Sequence, residues 1–205
     1  MSEKQDSLER LKHAPSIEGV PDILFQRWSP RALATTPVSA ENLKKIFEAA
    51  SWAASSYNEQ PWRFLVGHKG DETYKKIYES LAEPNQQWNV NTPVLILSAG
   101  KKTFTQNGSP NPYQLHDTGA ATTYLSLAAT ALGMHSHSMG GFDRDKARSL
   151  FSIPDDFELG AVTALGYLGD PETLPEHFKK MELAPRQRKP LDQFVFTGWD
   201  KPATF

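Results

Sequence analysis

This chain predicts an α+β fold, and three observations carry the prediction. Stretches of helical spacing mix irregularly with short apolar runs, and two to four of those runs could pair into one sheet. No GxGxxG follows a strand-like run, which argues against a dinucleotide-binding repeat. At 205 residues and 39% hydrophobic content the chain can bury a real core. The usual domain size of roughly 100–200 residues then points to one unit spanning 1–205.

In chain order, residues 1–20 are polar and read as an N-terminal extension. Ser39 is placed as an N-cap, Glu41 falls in the first turn, and Leu43, Ile46, Phe47 and Ala50 recur at helical spacing, giving a helix that ends near Ser51. Phe64-Leu65-Val66 reads as a short strand, with Gly67 to Gly70 as its turn. Tyr74, Ile77, Tyr78 and Leu81 form the apolar stripe of another helix. Val94-Leu95-Ile96-Leu97, after Thr92-Pro93, is a continuous apolar run that fits a strand covered on both faces. Lys101 to Gln114 is a polar loop.

Asp117 to Gly133 is the most helical stretch, with Asp117 as its cap and Gly133 as its end. Ala120, Ala121, Leu125, Ala128, Ala129 and Leu132 leave it almost no polar face, so it is expected in a core or against a second copy of itself. Met134 to Met139 is a candidate strand, broken by Gly140-Gly141. Asp143 caps a short helix to Leu150, and Ala161 to Tyr167 is a further strand. Pro171 to Pro190 is charged and punctuated by proline, an extended excursion. The isolated Phe194-Val195-Phe196 triplet is expected to pair with an edge elsewhere, one on a partner subunit included.

Composition narrows the function. A net charge of -2, with Lys and Arg scattered among Asp and Glu, implies no basic surface large enough for a nucleic-acid backbone. The absence of cysteine removes disulfides, a thiol nucleophile, thiolate metal sites and iron–sulfur clusters, so any redox chemistry must come from a bound cofactor. Met1 to Lys12 lacks the apolar core of a signal peptide, and no apolar run approaches the ~20 residues of a membrane span. A cytoplasmic protein without a membrane partner is the expectation.

Four segments could carry chemistry. Arg27-Trp28-Ser29-Pro30-Arg31 offers two guanidinium forks flanking a hydroxyl, a natural phosphate grip, though such pairs also occur on solvated loops. In Ala53 to Trp62, small residues leave room for a flat ligand while Asn58 and Gln60 can donate and accept; turn-forming Ser and Asn at a helix exit explain the same residues. Gly140-Gly141-Phe142-Asp143 lets backbone approach a ligand, or is an ordinary capped turn. Arg186-Gln187-Arg188-Lys189 could complete a phosphate site or be a solvated face.

Taken together and in this order, from about Asp22 to Phe196, these segments resemble the nitroreductase family. The resemblance implies an α+β fold with a central, mostly antiparallel sheet flanked by helices. It also implies an intertwined homodimer with FMN at the interface, NADH or NADPH as electron donor, and ping-pong reduction of a small-molecule oxidant such as a nitroaromatic, quinone or unsaturated carbonyl compound. By the same resemblance Arg27 and Ser29 are phosphate ligands with Trp28 adding backbone contacts, and Arg31 reaches the pyrimidine edge of the ring. Ser55, Ser56 and Asn58 meet the flavin from the opposite subunit, Gly140 and Gly141 lie beside the hydride-accepting nitrogen, and Arg186 and Arg188 form a second phosphate clamp. The 171–205 tail is expected to be an arm packed on the partner. Ala54, where relatives often carry Pro, and Glu59, where a small polar residue is usual, depart from the pattern.

No side chain is nominated as acid or base, because the hard chemistry would belong to the cofactor. Other readings of the same fold are a flavin store or sensor without turnover, reductive dehalogenation, and flavin breakdown. The candidate lids, Asn85 to Asn91 and Lys101 to Gln114, are short and favour a small or open site. His135 and His137 alternate on one strand face without a third ligand at suggestive spacing, so no metal is assigned. Asp155-Asp156 reads as a solvated turn, and no GxSxG elbow marks a serine hydrolase.

Overall fold

The computed structural model describes residues 3–204. Its helices are α1 (Glu3–Lys12), α2 (Ile23–Gln26), α3 (Ala40–Ser51), α4 (Glu72–Ser80), α5 (Glu83–Trp88), α6 (Gln114–Ala131), α7 (Arg144–Phe151) and α8 (Glu176–Leu183). Its strands are β1 (Trp62–His68), β2 (Val94–Lys101), β3 (His135–Met139), β4 (Phe157–Gly166), β5 (Phe196–Gly198) and β6 (Lys201–Pro202). The first four strands form one antiparallel sheet in the order β1-β2-β4-β3.

Strand β2 organises the core because both of its faces are covered. Val94 and Ile96 pack with Leu43, Ile46 and Ala50 of α3 and Leu125 and Ala129 of α6. Leu95, Leu97 and Ala99 pack on the other side with Tyr74, Ile77, Trp88 and Phe178. Alternation of side chains along a strand produces this division, and it explains why the run reads as continuously apolar. The Ser39 and Asp143 caps form as their sequence suggests, accepting from the amides of Asn42 and Lys146.

Several boundaries differ from expectation. Strand β1 runs through Gly67 to His68, because a Cβ at Gly67 would lie 2.3 Å from the Tyr74 amide nitrogen where α4 crosses it. Strand β4 begins at Phe157, ahead of Ala161. Helix α6 begins at Gln114 without a side-chain cap, so Asp117 lies inside it. Nor does α6 lack polarity: Thr118, Thr122, Ser126 and Thr130 follow i, i+4 spacing, each hydroxyl donating to the carbonyl four residues back.

The Pro171 to Pro190 stretch is not simply extended. It holds α8, whose Phe178 and Glu182 are buried against the chain's own body. Residues 1–20 likewise include α1, docked through Leu8 onto Trp28 and Leu168. Phe196 pairs locally with Pro202 in a two-stranded hairpin. Asn85 to Asn91, one of the two candidate lids, is anchored at Trp88 and Asn89, which are buried, and Asn89 Nδ2 donates to the Asn85 carbonyl at 2.8 Å.

Candidate active site

The Arg27–Arg31 segment is held from every side. The Trp28 ring is buried beneath the Lys12 ammonium, and its Nε1 donates to Glu9 Oε2 at 3.3 Å. Pro30 O accepts from His137 Nδ1 at 3.0 Å. The His137 ring lies 4.7 Å from that of Trp88, and burial pulls its pKa down to about 4, with the Arg31 and Arg27 charges acting in the same direction. Arg31 N donates to Glu182 Oε1 at 2.9 Å, and Ala32 N to the same oxygen at 3.0 Å.

These braces arrange cations around a cavity of about 280 Å³, lined by Lys12, Arg27, Ser29, Arg31, Arg186 and Arg188, with Glu182 as its one carboxylate. Burial lowers the pKa of Arg27, and the neighbouring Arg186 and Arg188 charges lower it further. Arg27 Nη1 also donates to Ser29 Oγ at 3.3 Å. Such a cluster of partly desolvated cations is built for an anion. The five sequence-nominated residues Arg27, Ser29, Arg31, Arg186 and Arg188 therefore converge. Arg186 is partly committed elsewhere, since its Nη1 donates to Lys12 O and Phe25 O at 2.7 Å each.

Arg27 and Ser29 also rim a second, larger cavity of about 470 Å³. Its wall is the hydroxyl stripe of α6, Thr118, Thr122 and Ser126, and its floor is Ser136 and Ser138 of β3 with Gly160 and Ala161 of β4. The floor contains a β-bulge between Leu97 and Ala99. Ser98 Oγ compensates for it, accepting from Ala161 N and donating to Ala161 O, both at 3.0 Å. A bulge re-aims backbone beside a site, and this one flattens the groove floor with small residues. Arg31 does not line this groove: it sits with the other cations, its guanidinium 5.6 Å from the Phe178 ring.

Gly140 continues the Ser136 and Ser138 alternation beyond the strand end, and a Cβ there would meet nothing within 4 Å. Gly141 serves packing instead. Its carbonyl accepts from Ala82 N at 3.0 Å and Asn85 Nδ2 at 2.8 Å.

The Ser55–Asn58 loop is elsewhere on the chain, where Ser55 and Ser56 line a cavity of about 290 Å³ with Tyr113, His116 and Asp117. Tyr57, Asn58 and Gln60 all have positive φ, 52°, 55° and 50°. That is a strained backbone, tolerated by Asn and costly for Tyr. Among the contacts that hold it, Ser56 N donates to Asp117 Oδ2 at 2.9 Å, Gln60 N to Ser55 Oγ at 3.0 Å, and Glu59 accepts from Thr105 N at 3.0 Å and from Thr105 Oγ1 at 2.5 Å. Glu59 thus ties the Lys101 to Gln114 loop to this one, and the Thr105 hydroxyl, with a smaller contribution from its amide, lowers the Glu59 pKa.

Sequence reasoning missed Lys12 and Glu182, which carry no local motif, and the α6 hydroxyl stripe, whose i, i+4 spacing was visible. His135 is engaged with Glu9 at 2.7 Å and His137 with Pro30, and among the described residues no group of three or more His, Cys, Asp or Glu could hold a metal. No helix among them is long and apolar enough to cross a membrane.

The antiparallel sheet of this α+β fold thus carries a cation-lined cavity and a hydroxyl-lined groove that share Arg27 and Ser29. Comparison with known proteins is specific. The nitroreductase family model matches residues 24–90 and 83–167. An uncharacterised 15.4 kDa protein of Mycolicibacterium smegmatis is 32% identical over 149 residues, 68% of this chain and 99% of that protein. A protein of Archaeoglobus fulgidus named as a candidate NADH dehydrogenase/NAD(P)H nitroreductase is 31% identical over 154 residues, covering 72% and 84%. A crystal structure described as an oxidoreductase containing FMN superposes with a TM-score of 0.84 at 36% identity, covering 91% of this chain and 96% of that one. This chain belongs to the nitroreductase family.

Proposed function

We propose that this protein is an FMN-dependent oxidoreductase that takes electrons from NADH or NADPH and passes them to a small oxidant such as a nitroaromatic, a quinone or an unsaturated carbonyl compound. One observation carries the reading: the cation-lined cavity and the hydroxyl-lined groove share Arg27 and Ser29, so a ligand with an anionic end and a flat polar body fits both. The donor set suits FMN. Lys12, Arg27, Arg31, Arg186 and Arg188 would hold the phosphate, while Ser98, Thr118, Thr122, Ser136 and Ser138 line the bed for the remainder.

When bound, the flavin would accept a hydride from the nicotinamide and later surrender two electrons to the oxidant. The protein's own residues bind and orient. Arg27, at the junction, fixes the phosphate relative to the groove and places positive charge beside it. Gly140 leaves open space at the strand end for close approach. The Ser55, Ser56 and Asn58 loop lies outside both cavities of its own chain, which supports its reaching the groove of a second chain in a homodimer. Arg31 lines the cation cavity, which supports a phosphate contact from it beside the ring-edge role that the family resemblance implies.

Purified protein should release FMN on denaturation, and it should oxidise NADH or NADPH in the presence of a quinone or nitroaromatic. Protein that neither carries FMN nor takes it up when supplied would refute the proposal.

A further inference from the structure

The cation cavity contains a charge of the wrong sign for a phosphate site. Glu182 is 1% exposed, and its side chain lines the same cavity as Lys12, Arg27, Arg31, Arg186 and Arg188. Its three hydrogen bonds all go to backbone: Oε1 accepts from Arg31 N at 2.9 Å and Ala32 N at 3.0 Å, and Oε2 accepts from Arg31 N at 3.1 Å. The buried Lys12 ammonium, in the same lining, donates to the Ala184 carbonyl. The carboxylate therefore works on the main chain of the arginine segment. We propose that Glu182 is a positioning residue of the phosphate cradle, fixing the Arg31–Ala32 backbone from α8 while its charge holds down the affinity for the phosphate. This rests on the flavin reading above.

Two physical arguments support it. A backbone segment carrying Arg27, Ser29 and Arg31 must present those side chains together, and Trp28, Pro30 and Arg31–Ala32 are each pinned by a different element: α1, β3 and α8. Of the three hydrogen-bonding pins Glu9, His137 and Glu182, it is Glu182 that also lines the cation cavity alongside the arginines. Like charges in one partly desolvated cavity repel, so a carboxylate in the wall opposes an incoming phosphate even as it organises the donors. Burial raises the Glu182 pKa, while the Ala32 and Arg31 amides and the Arg31 and Lys12 charges oppose the rise. The charged groups facing it are those of Lys12 on α1, Arg27 and Arg31 on the segment, and Arg186 and Arg188 on the tail.

The test separates charge from position by comparing FMN with riboflavin, which lacks the phosphate. Glu182→Gln keeps an oxygen where Oε1 accepts both amides but removes the charge. Affinities of flavin-stripped wild type and variant for both flavins would be measured by calorimetry. The expected result is FMN binding about tenfold tighter in Glu182→Gln with riboflavin affinity little changed, and in Glu182→Met, which removes both charge and acceptor, FMN binding weaker than in Glu182→Gln with riboflavin again little changed. Equal changes for the two flavins, weaker FMN binding in Glu182→Gln, or loss of fold in both variants would overturn the proposal, leaving Glu182 a structural residue only. If wild type binds FMN no better than riboflavin, it is the phosphate-cradle reading itself that fails, a distinct outcome.

Discussion

At the residue scale, the cations of the candidate site act as a group. Arg27 and Arg31 line one cavity, so each single replacement by Ala should weaken FMN by roughly 1.5–3 kcal/mol, about tenfold to a hundredfold. Equilibrium titrations of the two variants check this, and an Arg31→Ala protein with unaltered FMN affinity would remove Arg31 from the cradle. His137, beneath Pro30, gives a second prediction. Its pKa of about 4 lies below the ~6.5 of a free imidazole, so the unfolded chain binds the proton first as pH falls. The associated stability is complete above ~6.5 and lost as pH falls through about 4, on the order of 3 kcal/mol in all. His137→Gln preserves a donor for Pro30 and cannot titrate. Denaturant unfolding from pH 7 to 4 should show wild type losing more stability than the variant, and parallel losses would refute the assignment.

At the element scale, what was legible in the sequence was local. The Ser39 and Asp143 caps and the β2 run each depend on residues within one turn or one strand, and each formed. The start of α6 was not legible because its N-terminus has no side-chain cap, and Asp117, which resembles one, is spent on Ser56 and His116. Gly67 reads as a turn residue for the same reason, since a glycine required by a crossing helix looks like any other from sequence. It predicts that Gly67→Ala forces β1 and α4 apart, because the new Cβ would meet backbone at 2.3 Å. A loss of about 1–3 kcal/mol by denaturant unfolding is expected, and an unaffected midpoint would show that α4 shifts freely. The arginine motif was visible, but Glu182 lies 151 positions from Arg31, a separation no local pattern spans.

At the scale of the whole molecule, α6 and the tail each expose apolar side chains. Leu115 and Tyr124 are 41% and 45% exposed, and Leu191, Phe194 and Trp199 are more so. Large exposed apolar patches mark interfaces. The expected outcome is a two-chain species by light scattering, with truncation before Leu191 lowering both dimer stability and flavin retention; a one-chain species that keeps its flavin would contradict it. A flavin held in the shared cavity and groove must be within reach of NADH or NADPH. Anaerobic addition of NADH or NADPH to FMN-loaded protein tests this most directly. The yellow colour should bleach with one nicotinamide consumed per flavin and return on addition of a quinone; colour that persists with both donors, or protein that never takes up FMN, would contradict a flavin site there.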